Sequence, residues 1–368
     1  MSQSDIDVAR LTVRLGAIAE NYRICQRLAG GAAVAGVVKA DGYGLGAEEV
    51  TRTLVSIGCD TLFVARLEEG IKVRPLAPNA RIFVLDGAYP TAVSALLAHR
   101  LTPVLNSLAE IETWSAAAKA SGTALDAALH FDTGMHRLGL PPAEFSTLAA
   151  ESSERLRGVD LVLVMSHLAC SEDPASSMNR TQLDRFRAGL ARLPPAPASL
   201  SASGGAVLGR DYAFDMVRLG IGLYGGNPRS GGVNPFTTAA VLTGRILQLR
   251  RVDKGESVGY GASFRVGRTS TLATIALGYA DGLMRAIGNR GVGAVGGVRA
   301  PVAGRVSMDM ITLDVTDVPE RALRVGADVE FLGDTISLDE LARAANTAPY
   351  EILTSLGGRV PRHYVGAR

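Results

Sequence analysis

The side chains best suited to chemistry in this chain follow short apolar runs. Lys39 comes after Ala33-Val34-Ala35-Gly36-Val37-Val38, a valine-dense run without polar side chains. Such a run reads as a strand buried on both faces. A lysine at its carboxyl end sits among apolar neighbours, which disfavour the charged form and leave a nucleophilic neutral amine. An amine of that kind condenses with an aldehyde cofactor. Taken alone, the stretch is equally open to a surface lysine in a strand-to-helix loop. Four further residues share the placement: Arg137 in Asp132-Thr133-Gly134-Met135-His136-Arg137-Leu138-Gly139, His167 in Met165-Ser166-His167, Ser203 in Ser201-Ala202-Ser203-Gly204-Gly205, and Arg218 in Met216-Val217-Arg218-Leu219. A single strand-end histidine is more often structural, but together these residues point to one shared site. Ser203-Gly204-Gly205 and Gly220-Ile221-Gly222 let backbone N–H groups approach a phosphate, and the serine hydroxyl can donate as well. Each also fits an ordinary turn. No GxxxxGK[ST] is present, and no GxGxxG follows a first strand, which disfavours nucleotide and dinucleotide sites.

A parallel sheet would bring such residues to one face. The strand candidates are Ala33–Val38, Thr61–Val64, Ile82–Leu85, Thr102–Leu105, Ala127–Phe131, Val159–Met165, Ala198–Ser201 and Met216–Leu219. Helical stretches lie between them, among them Ala47–Ile57, Ala92–His99, Leu108–Ser121, Phe145–Ser152 and Thr181–Leu193. This alternation predicts an α/β fold with a (β/α)₈ TIM-type barrel, whose active site is built at the carboxyl ends of its strands. A doubly wound open sheet is the rival. Gly225–Pro235 is rich in glycine and proline and reads as a linker. Beyond it, Ala240–Arg250, Thr269–Ala276, Ile311–Val315 and Val329–Leu332 read as strands, and Leu338–Ala345 and Pro349–Leu356 as short helices. The expected organisation is a cofactor-binding barrel over residues 1–230 and a smaller, mostly β domain over 236–368. The first strand, Val8–Leu15, is a candidate to join that second domain.

Composition sets outer bounds. The chain has 368 residues, 47% hydrophobic and 20% charged, which suits two domains with a large core. Net charge is +2 without a basic cluster, which argues against nucleic acid as a partner. Cys25, Cys59 and Cys170 are scattered and odd in number, with neither metal nor disulfide spacing. With no apolar signal core and no run of transmembrane length, the reading is a cytoplasmic protein that uses neither membrane nor metal.

The string Lys39-Ala40-Asp41-Gly42-Tyr43-Gly44-Leu45-Gly46 resembles the signature of the alanine racemase family, although members often carry asparagine at the position of Asp41. The likeness extends along the chain. DTGMHRLG is similar to the family's DTGMxRxG, and VRLGIGLYG to its RxGxxLYG. Val258-Gly259-Tyr260-Gly261-Ala262-Ser263-Phe264, Leu277-Gly278-Tyr279-Ala280-Asp281-Gly282 and Gly304-Arg305-Val306-Ser307-Met308-Asp309-Met310 resemble its VGYGxxF, GYxDG and GRxxMD. The tail from Tyr350-Glu351-Ile352 to Arg359-Val360-Pro361-Arg362 matches as well.

The resemblance implies pyridoxal 5'-phosphate as cofactor and interconversion of L- and D-alanine. It implies Lys39 and Tyr260 as the bases for the D- and L-faces, in a homodimer whose sites are shared between chains. It implies Tyr43, Ser203, Gly220, Ile221 and Tyr350 around the phosphate, and Arg218 against the ring nitrogen with His167 orienting it. Arg137 and the backbone at Met308 would meet the substrate carboxylate. Barrel-type amino-acid decarboxylases share the lysine strand but carry a cysteine acid in the second domain, and no cysteine follows residue 170 here. A bare-barrel pyridoxal-binding protein would lack the β domain and Tyr260. One position departs from the pattern: many members have a carbamate-bearing lysine where this chain has His130. Imidazole forms no stable carbamate, so the expectation is an anion such as chloride, or an acceptor side chain from elsewhere, beside Arg137.

Overall fold

The computed structural model describes residues 7–366, so the outermost parts of the two expected ranges, residues 1–6 and 367–368, lie outside it. The first strand, β1 (Ala9–Arg14), stands apart from the sheet that follows. That sheet contains β2 (Ala33–Val37), β3 (Thr61–Val64), β4 (Arg81–Val84), β5 (Thr102–Leu105), β6 (Leu125–His130), β7 (Val159–Met165), β8 (Ala198–Ser199) and β9 (Met216–Leu219). The paired strands are parallel, in the order β8-β7-β6-β5-β4-β3-β2-β9. The ends meet through a parallel bridge between Ala202 and Arg218, with Arg218 N–H donating to the Ser201 carbonyl at 3.0 Å. The expected (β/α)₈ barrel is therefore present.

The apolar runs become strands because both of their faces are covered. All four residues of β3 are buried, and Phe63 and Phe83 stack at 4.7 Å. Helices such as Leu15–Ala29, Ala47–Ser56 and Leu108–Ser121 cover the outer wall, and their buried residues join one core with the strands.

After residue 239 the chain forms β10 (Ala240–Val252), β11 (Ser257–Val258), β12 (Phe264–Arg265), β13 (Ser270–Ile275), β14 (Val292–Val295), β15 (Val298–Pro301), β16 (Ile311–Asp314), β17 (Asp328–Leu332) and β18 (Arg362–Val365). Their main sheet runs β15-β14-β17-β10-β1-β18, with β13 and β16 branching from β10. The long strand β10 changes partners along its length. Its first half pairs β1 and β17 and its second half β13, with register shifts between Leu242 and Thr243 and between Ile246 and Gln248. β1 lies in this sheet, antiparallel to β10 and parallel to β18. The sequence reading lacked β11, β12, β14, β15 and β18. Gly293, Gly296 and Gly297 interrupt the hydrophobic alternation of the hairpin, and β18 is polar and half exposed.

The β domain closes onto the barrel at Gly44. Arg362 makes five hydrogen bonds there: Nε and Nη2 donate to the Gly44 carbonyl, and the rest go to the carbonyls of Leu356, Gly357 and Val360. Gly44 has φ +81°, and a Cβ on it would run into the Leu353 carbonyl of the helix Pro349–Ser355. Gly44→Ala is accordingly expected to lose about 2 kcal/mol or more of stability, from left-handed strain alone plus the backbone clash. A melting temperature equal to wild type in a thermal unfolding scan would contradict this packing.

Candidate active site

A cavity of about 650 Å³ opens at the carboxyl ends of the barrel strands. It is lined by Lys39, Tyr43, Arg137, His167, Ser203, Arg218, Gly220, Ile221 and Tyr350. A larger groove of about 840 Å³ on the outer wall holds none of these residues, and the chemistry lies in the smaller space. Tyr260 and Met308 are not in the cavity of their own chain. They sit on the β domain, 71% and 53% exposed. Among the described residues, no cluster of histidine, cysteine, aspartate or glutamate could hold a metal ion. No described helix is long and apolar enough to cross a membrane, and the three cysteines are unpaired.

Lys39 is presented by unusual backbone. Ala40, Asp41, Gly42, Tyr43 and Gly44 all have positive φ, a left-handed turn directly after the lysine. Glu69 supports it, accepting from Ala40 N–H at 2.7 Å and from Ala65 and Arg66 N–H at 2.8 and 3.1 Å. Its carboxylate thus ties the turn to the end of β3. Asp41 Oδ1 accepts from Ala47 N–H at 3.0 Å and starts the next helix. Burial lowers the Lys39 ammonium below its ordinary pKa; the charges of Arg137 and Arg218 push the same way, and Glu69 and Asp86 push back.

Arg218 is buried without a carboxylate partner among the described residues. Nη1 donates to the Ser199 carbonyl at 2.9 Å and to Ser199 Oγ at 2.6 Å. Nη2 donates to the Ser166 carbonyl at 2.7 Å and to His167 Nδ1 at 3.0 Å. Arginine only donates, so His167 Nδ1 is the acceptor and the ring proton is on Nε2. Burial, then the charges of Arg218 and Arg137, hold His167 well below its usual range. Burial pushes Arg218 down to about 9, which still leaves it charged at neutral pH. Its Nε–H has no partner among the described residues, so this donor remains for a bound group.

A cradle of backbone N–H groups around a serine hydroxyl lies at the ends of β8 and β9. The N–H groups of Gly220 and Gly222 both donate to Ser203 Oγ, at 3.0 and 3.2 Å. Tyr43 stacks on Tyr224 at 4.6 Å, and its hydroxyl reaches the same place: a Cβ on Gly220 would be 2.6 Å from Tyr43 Oη. Tyr350 comes over from the β domain, its ring 6.1 Å from that of Tyr43. Glycine at position 220 is thus a requirement of space.

The loop bearing Arg137 is shaped by Asp132, whose carboxylate accepts from the N–H groups of Gly134, Met135 and His136. Burial raises this carboxyl, but the three donors outweigh it and hold the group below its usual range. Arg137 itself has no hydrogen-bond or ion-pair partner among the described residues. His130 instead bonds Asn106, Nδ1 to Oδ1 at 2.9 Å. Glu69, Asn106 and Arg362 were not singled out from sequence. Asn106 could have been, since it directly follows the apolar run Val104-Leu105. Glu69 has the weaker signal of an acid at the third position of a helix.

Residues 13–228 match the family model described as "Alanine racemase, N-terminal domain", and residues 239–364 match "Alanine racemase, C-terminal domain". The chain is 48% identical over 370 residues to the alanine racemase of Rhodospirillum rubrum, covering 100% of this chain and 99% of that one. It is 46% identical to a catabolic alanine racemase of Agrobacterium fabrum, covering 96% and 92%. Its fold superposes with TM-score 0.93 on the alanine racemase from Bartonella henselae with covalently bound pyridoxal phosphate, at 37% identity, covering 97% and 99%. The biosynthetic alanine racemase from Pseudomonas aeruginosa gives a TM-score of 0.91 at 37% identity, covering 98% and 100%. With matches across both domains and the strand-end residues gathered in one cavity, the chain belongs to the alanine racemase family.

Proposed function

We propose that this chain interconverts L- and D-alanine, with pyridoxal 5'-phosphate bound covalently through Lys39, and that the active unit is a homodimer in the cytoplasm. One observation carries the reading. An amine with a lowered pKa stands in a cavity that offers an N–H cradle for a phosphate, an unpaired arginine N–H for a ring nitrogen and a second arginine at the rim. These residues fit the cofactor: Tyr43, Ser203, Gly220, Ile221 and Tyr350 would hold its phosphate, and Arg218 its ring nitrogen. When bound, pyridoxal phosphate supplies the electron sink that makes the substrate α-proton removable.

The protein's own part is to place two bases and one carboxylate anchor. Arg137, with the backbone at Met308 of the partner subunit, holds the substrate carboxylate and so keeps the α-carbon within reach of both bases. Lys39 Nζ, freed when substrate takes its place, exchanges a proton on the D-face. Tyr260 of the partner subunit exchanges one on the L-face. Arginine at the ring nitrogen gives no proton away, which keeps the sink moderate and the carbon protonated in place. Support for the shared site comes from exposure: Tyr260 lies outside the cavity of its own chain on a turn open to solvent.

Mixing supplies the direct test. Lys39→Ala should lose the near-visible absorbance of lysine-linked cofactor, and Tyr260→Phe should keep it; neither alone should racemise L-alanine. Equal mixing and exchange of subunits should restore about a quarter of wild-type sites, because half of the random dimers carry one intact pair. Polarimetry showing no recovery, or an active monomer in sedimentation, would sink the two-chain site.

The lowered Lys39 pKa has a sign that can be checked. Only the neutral amine attacks the aldehyde, so cofactor uptake by apoenzyme should rise with pH and level off below the lysine reference of 10.5. Removing the repelling cation in Arg137→Ala should move that levelling to higher pH in stopped-flow traces. An unmoved midpoint would mean the arginine does not tune the amine.

His130 also makes a carbamate impossible at its position. Racemisation at fixed pH should therefore be the same with and without added bicarbonate, and a rise with bicarbonate would refute this.

A further inference from the structure

Gln182 is wholly buried on the helix Ser177–Leu190, and its amide is used at every polar atom. Oε1 accepts from Ala169 N–H at 2.8 Å. Nε2 donates to the His167 carbonyl at 2.8 Å and to Thr133 Oγ1 at 3.1 Å. The amide cannot be turned over, because a flip would set Oε1 against the His167 carbonyl and the NH₂ group against the Ala169 N–H. One side chain thus brackets Leu168 in the loop after β7 and reaches across to the turn after β6.

The turn is tied to its surroundings at that same threonine. The buried Thr133 hydroxyl exchanges a hydrogen bond with the buried Ser166 hydroxyl at 2.8 Å, and Arg185 Nη1 donates to the Thr133 carbonyl at 3.0 Å. Gln182 and Arg185 stand three positions apart and share one face of the helix. Gly134 follows at φ +134°, so near this helix that a Cβ on it would lie 2.6 Å from Met178 Cε. Asp132 folds the turn internally, through the N–H groups of Gly134, Met135 and His136. Thr133 fixes the folded turn to the barrel.

Both ends of this network lead to the cavity. Met135 and Arg137 line it from the turn, and His167, Leu168 and Ala169 from the loop after β7. Arg137 makes no hydrogen bond of its own among the described residues, so its place is set by the backbone that carries it. On the other side, the Ser166 carbonyl and His167 Nδ1 both accept from Arg218. Gln182 and Thr133 are not in the cavity lining, so they act on it through the backbone they hold.

We infer that Gln182, through Thr133, is a positioning residue for Arg137: it sets the turn that carries this arginine against the strand end that holds Arg218, and so fixes the spacing between the two. The inference rests on the proposed role of Arg137 in holding the substrate carboxylate.

Kinetics and absorbance of the holoenzyme test it. Gln182→Met keeps the length of the side chain and loses its donors. It should raise KM for L-alanine about tenfold, more than it lowers kcat, the scale of one buried hydrogen bond. Thr133→Val should act in the same direction, whereas Thr133→Ser keeps the hydroxyl and should stay within about twofold of wild type. The near-visible absorbance of lysine-linked cofactor should persist in all three, because Glu69, outside this network, holds the turn at Lys39. Positioning is separated from general loosening in the Arg137→Ala background. There Gln182→Met should raise KM no further, since the group it places is gone. A further rise of the same size would make Gln182 merely structural and overturn the inference. Equal KM values for Thr133→Val and Thr133→Ser would overturn it as well, and that comparison stands even where Gln182→Met does not fold. If Arg137→Ala alone leaves KM unchanged, the carboxylate role fails and the inference falls with it. If Arg137→Ala raises KM while Gln182→Met and Thr133→Val do not, the inference alone is wrong.

Discussion

The left-handed turn after Lys39 is the constraint on which the rest of the site depends. Three of its five positive-φ residues, Ala40, Asp41 and Tyr43, carry side chains, so the conformation costs roughly 3–6 kcal/mol. It persists because every part of it is held. Glu69 takes the Ala40 N–H, Asp41 caps the following helix, Tyr43 stacks on Tyr224, and Arg362 takes the Gly44 carbonyl. The result is a lysine on the last rigid position of a strand and a tyrosine turned back into the same cavity only four residues later. The turn also explains why the β domain belongs to the site. Arg362 and the helix Pro349–Ser355 close on Gly44, and that same helix delivers Tyr350 to the cradle.

Charge is distributed to the same end. Lys39, Arg137 and Arg218 all face one cavity, and none has a carboxylate in salt-bridge contact among the described residues. Two carboxylates nearby are occupied with backbone, Glu69 and Asp132 each accepting from three N–H groups, while Asp86 and Glu172 line the cavity itself. Arg218 is held by carbonyls, a hydroxyl and an imidazole, which satisfy the donors on both Nη nitrogens without neutralising it. A buried guanidinium without a counter-ion is expensive unless its hydrogen bonds are made. Here those of both Nη nitrogens are made, only Nε–H being left over, and the cation's field remains directed at the cavity. Burial first, and that field with it, lowers the amine of Lys39 and keeps His130 and His167 neutral, and the field suits a ligand with a phosphate at one end and a carboxylate at the other.

Much of this was legible in the sequence, for identifiable reasons. Strands buried on both faces leave uninterrupted apolar runs, so all eight barrel strands could be read within a few residues, and the barrel geometry then gathers whatever follows each run. Lys39, Arg137, His167, Ser203 and Arg218 could be found by that rule alone. What was not legible depends on contacts between distant segments. The Glu69–Ala40 bond, the grip of Arg362 on Gly44 318 residues away and the Asn106–His130 pair leave no local pattern. The turn itself was hidden because Lys-Ala-Asp reads as ordinary helix; only the glycines at 42, 44 and 46 hint at it. β18 escaped for the opposite reason. It is a polar edge strand whose pairing partner β1 lies at the other end of the chain.

The proposed second base, Tyr260, lies outside the cavity of its own chain, and the local structure there bears on how it could be supplied. Tyr260 stands in a short turn between β11 and β12, flanked by Gly259 and Gly261, both at φ +71°. The Arg305 guanidinium packs beneath it, within 3.2–3.5 Å of where a Cβ on Gly261 would lie. A side chain left 71% exposed on backbone that is already fixed loses little freedom when a surface closes over it. The same holds for the barrel, where Lys39 and Tyr43 are held before any substrate arrives. Association of two preformed halves then needs no rearrangement of the turn that carries either base.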